Sequence, residues 1–240
     1  LELLREDGED SKHGVRFPDG TAMALLVELE LAREVTTERG FDEIGSARSA
    51  RAPDTGLVRF CRLLDRAGVL DDTEMALPGD RRRAQQFLEV REAVPSAVKH
   101  RIGLAKQTVH ASIQKTAADM IVPFAHFGEM LAIYHDGFRR RGLDYAIWGH
   151  ISDGNVHPNV LPRTVDEMLA GREAILQFGR EVIGRGGCPL AEHGVGRSPM
   201  KQQLLRELYG DAGIEEMRAV KRALDPEWKL SAGVLFPPAG

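Results

Sequence analysis

Four side chains carry the donors that metal or proton chemistry needs: His150 and His157 in the run WGHISDGNVHPN, and Glu192 and His193 in AEHGVG. The two histidines of the first run are seven positions apart. On one helix they would share a face two turns apart, about 10.5 Å, too far for one ion about 2.1 Å from each nitrogen. On an unbroken strand an odd offset sends them to opposite faces. Asp153-Gly154 offers a third geometry, because that dipeptide favours a two-residue hairpin turn, with a positive φ that Gly adopts freely. A turn centred there sets Ser152 opposite Asn155, Ile151 opposite Val156 and His150 opposite His157, with Cβ atoms about 5 Å apart. Glu192 and His193 are neighbours, and in an extended segment they point to opposite sides, one toward a metal and the other toward substrate. Two histidines and a glutamate with open positions make a catalytic rather than a structural arrangement. A strand histidine is, however, more often a plain hydrogen-bonded residue, and the pattern by itself leaves both readings open.

The elements that must position these groups follow from periodicity and caps. Residues 1–20 are rich in charge and Gly and read as a loosely ordered lead-in, and AMALLVELEL (22–31) reads as a mostly buried strand. Gly56–Gly68 has Leu57, Phe60, Cys61 and Leu64 at helical spacing, and Arg81–Val94 reads as a helix ended by Pro95. Ala117–Pro123 reads as a short strand followed by a helix to Arg141, and residues 143–161 as strand, turn, strand. Thr164 and Glu167 form a capping box, in which Glu167 is expected to reach back to the N-cap amide. Ser198-Pro199 opens another helix, Gly210 closes it, and a last helix spans 214–224. The helix from Ser198 could present amides to an anion. The expected fold class is α+β, an antiparallel or mixed sheet flanked by helices, with a core over 22–197 and C-terminal helices over 198–240.

Composition narrows the function classes. The 240 residues are 42% hydrophobic and 28% charged with a net charge of −4, which fits a globular domain and gives no electrostatic footprint for nucleic acid. Arg81–Arg83 and Arg139–Arg141 read as solvated faces, and no apolar run is long enough to span a bilayer. Two cysteines, Cys61 and Cys188, cannot build a disulfide framework and fit a reducing, cytoplasmic compartment. With no initiator Met and no leader pattern, the chain reads as a mature product or an excised piece of something longer.

Five ordered motifs resemble the C-terminal domain of FAD-linked oxidases, the group of D-lactate, D-2-hydroxyglutarate and glycolate dehydrogenases. They are Gly149-His150-x-x-Asp153-Gly154-Asn155-x-His157-x-Asn159, Glu192-His193-Gly194-x-Gly196, Leu224-Asp225-Pro226-x-x-x-Leu230, Arg91-Glu92-Ala93-Val94-Pro95 and Asp119-Met120-Ile121-Val122-Pro123. The resemblance spans roughly residues 22–236 and implies a ferredoxin-like cap domain. It implies that His150, His157 and Glu192 hold a divalent metal, zinc or manganese, and that His193 is the general base. It further implies that Arg91, Lys115 and Asn159 contact substrate, and that Asp153, Gly154 and Asn155 lie at the FAD cofactor. Ser152 stands where the family has Gly, Leu88 where an aromatic is common, and Ser231-Ala232-Gly233-Val234 in place of Asn-Pro-Gly-Lys.

The flavin-binding domain of such oxidases has no counterpart in these 240 residues, and Gly194-Val195-Gly196 lacks the strand and the third glycine of a dinucleotide fingerprint. The implied function is the substrate and metal half of a D-2-hydroxy-acid dehydrogenase, inactive alone. Its implied partners are a 2-hydroxy acid, a FAD-binding domain and a second copy as a homodimer, with peripheral membrane association through an electron acceptor. Two rivals stand beside it: a stand-alone zinc hydrolase, which would need no flavin, and a non-catalytic interaction module, which would bind no metal.

Overall fold

The computed structural model describes residues 1–236, the side chains of Glu2, Glu9 and Ser11 aside. The chain divides into two compact units, Leu1–Ala97 and Val98–Gly240. The first unit holds α1 (Glu2–Glu6), α2 (Glu9–Lys12), α3 (Thr37–Ser46), α4 (Gly56–Arg66) and the start of α5 (Arg81–Thr108), and no strand among its described residues. Thr36 and Thr55 cap α3 and α4, each hydroxyl accepting an amide three residues on (Arg39 and Val58). The lead-in is anchored: Leu4 and Val15 are buried with Val90 and Ala93 in one small cluster. A second small cluster joins Ala47, Leu57, Val58 and Cys61.

Two expectations fail in this unit. Residues 22–31 form no regular element and pair with no strand, and Met23, Leu25, Leu26 and Val27 stand about half exposed. Alternation at the end of an apolar run names a face that wants cover, and forms a strand only where a ladder partner exists. The helix expected to stop at Pro95 continues to Thr108, because a proline inside a helix forfeits one amide hydrogen bond without always ending the helix.

In the second unit β1 (Thr116–Ala117), β2 (Met120–Ile121), α6 (Phe127–Arg139), β3 (Tyr145–His150), β4 (Asn155–Val160), α7 (Val165–Gly184) and α8 (Pro199–Leu224) follow in order. Strand β4 is central: β3 pairs along one edge, while β1 and β2 lie end to end on the other, all antiparallel. The expected single strand over 117–123 is thus two short pieces. The α+β expectation holds, with a purely antiparallel sheet.

Every residue of β4 is buried, and its apolar members Val156 and Val160 pack with Met120, Met130, Tyr134, Phe138, Ile175 and Phe178 in one continuous core. Tyr134 and Phe138 each meet Phe178 edge to face. Thr164 caps α7 by accepting the Glu167 amide at 3.1 Å. Glu167 reaches back to the Arg163 amide, one residue before the expected N-cap amide. Ser198 caps α8 with Pro199 in its first turn, and Gly210 (φ 68°, ψ 175°) leaves helical geometry, so Pro199–Leu224 is two helices meeting at a kink where the sequence places a stop.

Candidate metal and proton-transfer site

The β3–β4 hairpin brings the two histidines together by a different register from the expected one. Ile151–Asp153 form a turn of 3-10 helix and Gly154 closes it at φ 69°, so four residues rather than two are spent on reversal. His150 therefore pairs with Asn155, and Trp148 pairs with His157. The register sum moves by two, and because side chains alternate with period two, His150 and His157 keep the same face as diagonal neighbours. Their rings stand 6.0 Å apart, edge to face. A Cβ on Gly154 would lie 2.5 Å from the Val122 carbonyl oxygen, so the turn is pressed against the segment after β2.

Glu192 and His193 come from the segment between α7 and α8. The backbone of Ile121 exchanges two hydrogen bonds with Cys188, and the Ala191 amide donates to the Asp119 carbonyl at 3.1 Å. These bonds carry Glu192 to the hairpin. Its Oε1 stands 2.8 Å from His157 Nε2, 3.2 Å from His193 Nε2 and 3.9 Å from His150 Nε2. One carboxylate oxygen thus faces three imidazoles.

The donor atoms of His150, His157 and Glu192 lie within 4.8 Å of one another. A tetrahedral cage with bonds of about 2.1 Å has edges of about 3.4 Å, so the trio needs only a modest closing to share an ion. Burial lowers the pKa of His157, while Glu192 pulls the other way. The favoured neutral imidazole is the form that binds metal. Its Nδ1 and the Asn159 Oδ1 are buried without a hydrogen-bond partner, a condition that native structures seldom leave unexplained. The residues present fit a divalent ion.

The other expected residues divide. Asn159 is fully buried on β4, two residues from His157, and donates to the His157 carbonyl at 2.5 Å. Lys115 lies 5.4 Å from the centre of the Trp148 ring, itself 6.5 Å from the His157 ring. Its pKa is lowered by burial first, then by Lys99 and Lys201. Asp153 and Gly154 form the turn, and Asn155 is buried at the start of β4. Arg91 belongs to the first unit, on α5, where it pairs with Glu92. Asp119 and Lys201 escaped notice: Asp119 appears in the sequence only as a motif member, and its closeness to residues 191–193 is a tertiary fact. Among the described residues, no helix is long and apolar enough to cross a membrane.

Known proteins match this chain closely enough to assign a family. The family described as FAD linked oxidases, C-terminal domain, matches residues 5–235. The glycolate oxidase subunit GlcD of Bacillus subtilis is 32% identical over 120 residues, 49% of this chain and 25% of that protein. D-lactate dehydrogenase [cytochrome] 1, mitochondrial, of Saccharomyces cerevisiae is 29% identical over 118 residues, 49% of this chain and 20% of the yeast protein. D-2-hydroxyglutarate dehydrogenase of Escherichia coli is 29% identical over 130 residues, 52% of this chain and 12% of that enzyme. The chain therefore spans a quarter or less of each of these relatives. With nearly its whole length matched and three catalysing relatives in agreement, the chain belongs to the family of FAD linked oxidases, C-terminal domain.

Proposed function

We propose that this chain is the substrate- and metal-binding part of a flavin-dependent dehydrogenase that oxidises a D-2-hydroxy acid to the 2-oxo acid. The observation that carries the reading is the meeting of His150, His157 and Glu192 around one point, with His193 beside them. When bound, a divalent ion supplies Lewis acidity toward a hydroxyl, and a flavin supplies the two-electron acceptor.

The chain's own residues do the rest in this reading. His193, largely exposed and with its Nε2 on the site, takes the proton of the 2-hydroxyl. Lys115, exposed beside Trp148, attracts the substrate carboxylate, and the buried Asn159 orients it. Burial on β4 holds His157 in one rotamer, so the point where substrate binds is fixed in advance.

His193→Ala tests the role of the base. In the flavin-loaded protein, turnover of a D-2-hydroxy acid with a dye acceptor is expected to vanish while bound zinc or manganese, measured by metal analysis, stays stoichiometric. Near-normal turnover removes His193 from the mechanism. Ester or amide hydrolysis by the flavin-free chain would replace the oxidoreductase reading with a hydrolase, and a wild-type chain without affinity for either metal would favour the interaction module.

A further inference from the structure

The segment that supplies Glu192 and His193 is held by a device with no counterpart in the ligand set. Asp119 is fully buried between β1 and β2. Its Oδ2 accepts hydrogen bonds from two consecutive backbone amides, those of Glu192 (3.1 Å) and His193. Its own carbonyl accepts the Ala191 amide. Its Oδ1 has no hydrogen-bond partner but stands 3.6 Å from Lys201 Nζ, in the first turn of α8. The same ammonium donates to the Gly194 carbonyl at 2.8 Å.

A buried carboxylate is expensive unless charged donors and amides surround it, and this one has all its donors in or beside the segment 191–201. In the hairpin that charge acts on the His157 ring, favouring its protonated form against the effect of burial. The carboxylate's hydrogen bonds fix the backbone from which two adjacent functional side chains project. With both amides tied to one oxygen, the backbone origins of the Glu192 and His193 side chains are fixed relative to each other, and Lys201 adds a hydrogen bond to the Gly194 carbonyl.

We infer that Asp119, with Lys201 as its counter-ion, is the positioning residue that sets the metal-binding carboxylate of Glu192 and the ring of His193 at the hairpin. This rests on the metal-site reading above, and the experiment separates the two. Zinc affinity is measured by competition with a chromophoric chelator, and amide hydrogen exchange residue by residue, for the protein and for Asp119→Asn, Lys201→Gln and Lys201→Arg.

In Asp119→Asn, zinc binding is expected to weaken about 10- to 100-fold, the usual cost of losing a group that orients a ligand. The amides of Glu192 and His193 should exchange faster while those of β4 keep their protection. Lys201→Gln should move both readouts less in the same direction, and Lys201→Arg should restore them. In the flavin-loaded Asp119→Asn variant, kcat should fall while KM changes little.

Faster exchange with zinc affinity unchanged confines Asp119 to loop structure and overturns the positioning role. Weaker zinc binding with exchange unchanged overturns the amide clamp. If the unaltered protein binds neither zinc nor manganese, the metal reading fails, and exchange at Glu192 and His193 alone decides whether the clamp stands. Should Asp119→Asn not fold, Lys201→Gln is judged by the same two readouts.

Discussion

The two units differ in where buried polar atoms are left without a partner. In the first, the buried Glu43 is fully employed: Oε2 accepts the Thr55 hydroxyl at 2.6 Å and Oε1 the Arg39 guanidinium at 3.0 Å. Those hydrogen bonds also hold its carboxyl below the usual range. In the second, Thr116, Asp119, Asn155, His157, Asn159 and Arg218 each keep a buried polar atom without a hydrogen-bond partner, although the buried Asp225 accepts the Lys229 and Leu230 amides. Among the described residues no such orphan lies in the first unit. The apolar cores differ in parallel. A large cluster from Ala118 to Val182 supports the second unit beside a small one of Val195, Leu205, Ile214 and Phe236, while the clusters described in the first unit are both small. A fold tolerates unsatisfied polar groups where a ligand is to satisfy them, and only where surrounding packing is strong enough to bear the cost. Of the six residues with such an atom, Asp119, Asn155, His157 and Asn159 lie on or beside the hairpin that carries the candidate site, while Thr116 and Arg218 have no part in it.

Core truncation gives the widest test of that contrast. Phe178→Ala removes a ring that touches both Tyr134 and Phe138, and should cost about 3–5 kcal/mol in denaturant unfolding. Leu57→Ala in the smaller cluster should cost about 2 kcal/mol, the low end for such a change. Equal losses would erase the difference between the cores.

The hairpin gives the next effect. Gly154→Ala forces an L side chain to φ 69° and drives a Cβ to 2.5 Å from the Val122 oxygen. A destabilisation of about 1–3 kcal/mol is expected, with weaker metal binding read by the same chelator competition. A variant as stable as the parent would show the turn to be freer than its packing implies.

Smallest is the exposed run of the first unit. Val27→Lys is expected to shift stability by no more than about 0.5 kcal/mol, since Val27 is 53% exposed and outside both clusters. A large loss in thermal melting would mean that this run is covered in solution.

Much of the site was readable because it depends on local rules. Asp153-Gly154 marked the reversal and the helix caps at Thr164 and Ser198 marked their neighbours, all decided within a few residues of chain. What escaped depends on partners far away in sequence. Residues 22–31 have a strand's composition but no ladder, and the register followed a 3-10 turn that two turn residues do not announce. Asp119 is 73 positions from Glu192, and nothing in either neighbourhood hints that one accepts the other's amide. Pro95 misled for the opposite reason, a strong local signal outvoted by the rest of a long helix.

The diagonal seat of His150 beside His157 acts as a parity rule on the hairpin. Sliding β4 past β3 by a single residue would turn the second imidazole to the sheet's other side and dissolve the cage, whereas sliding by two preserves its orientation. Natural variation in this loop should therefore step in even increments of pairing, however freely its length and composition drift.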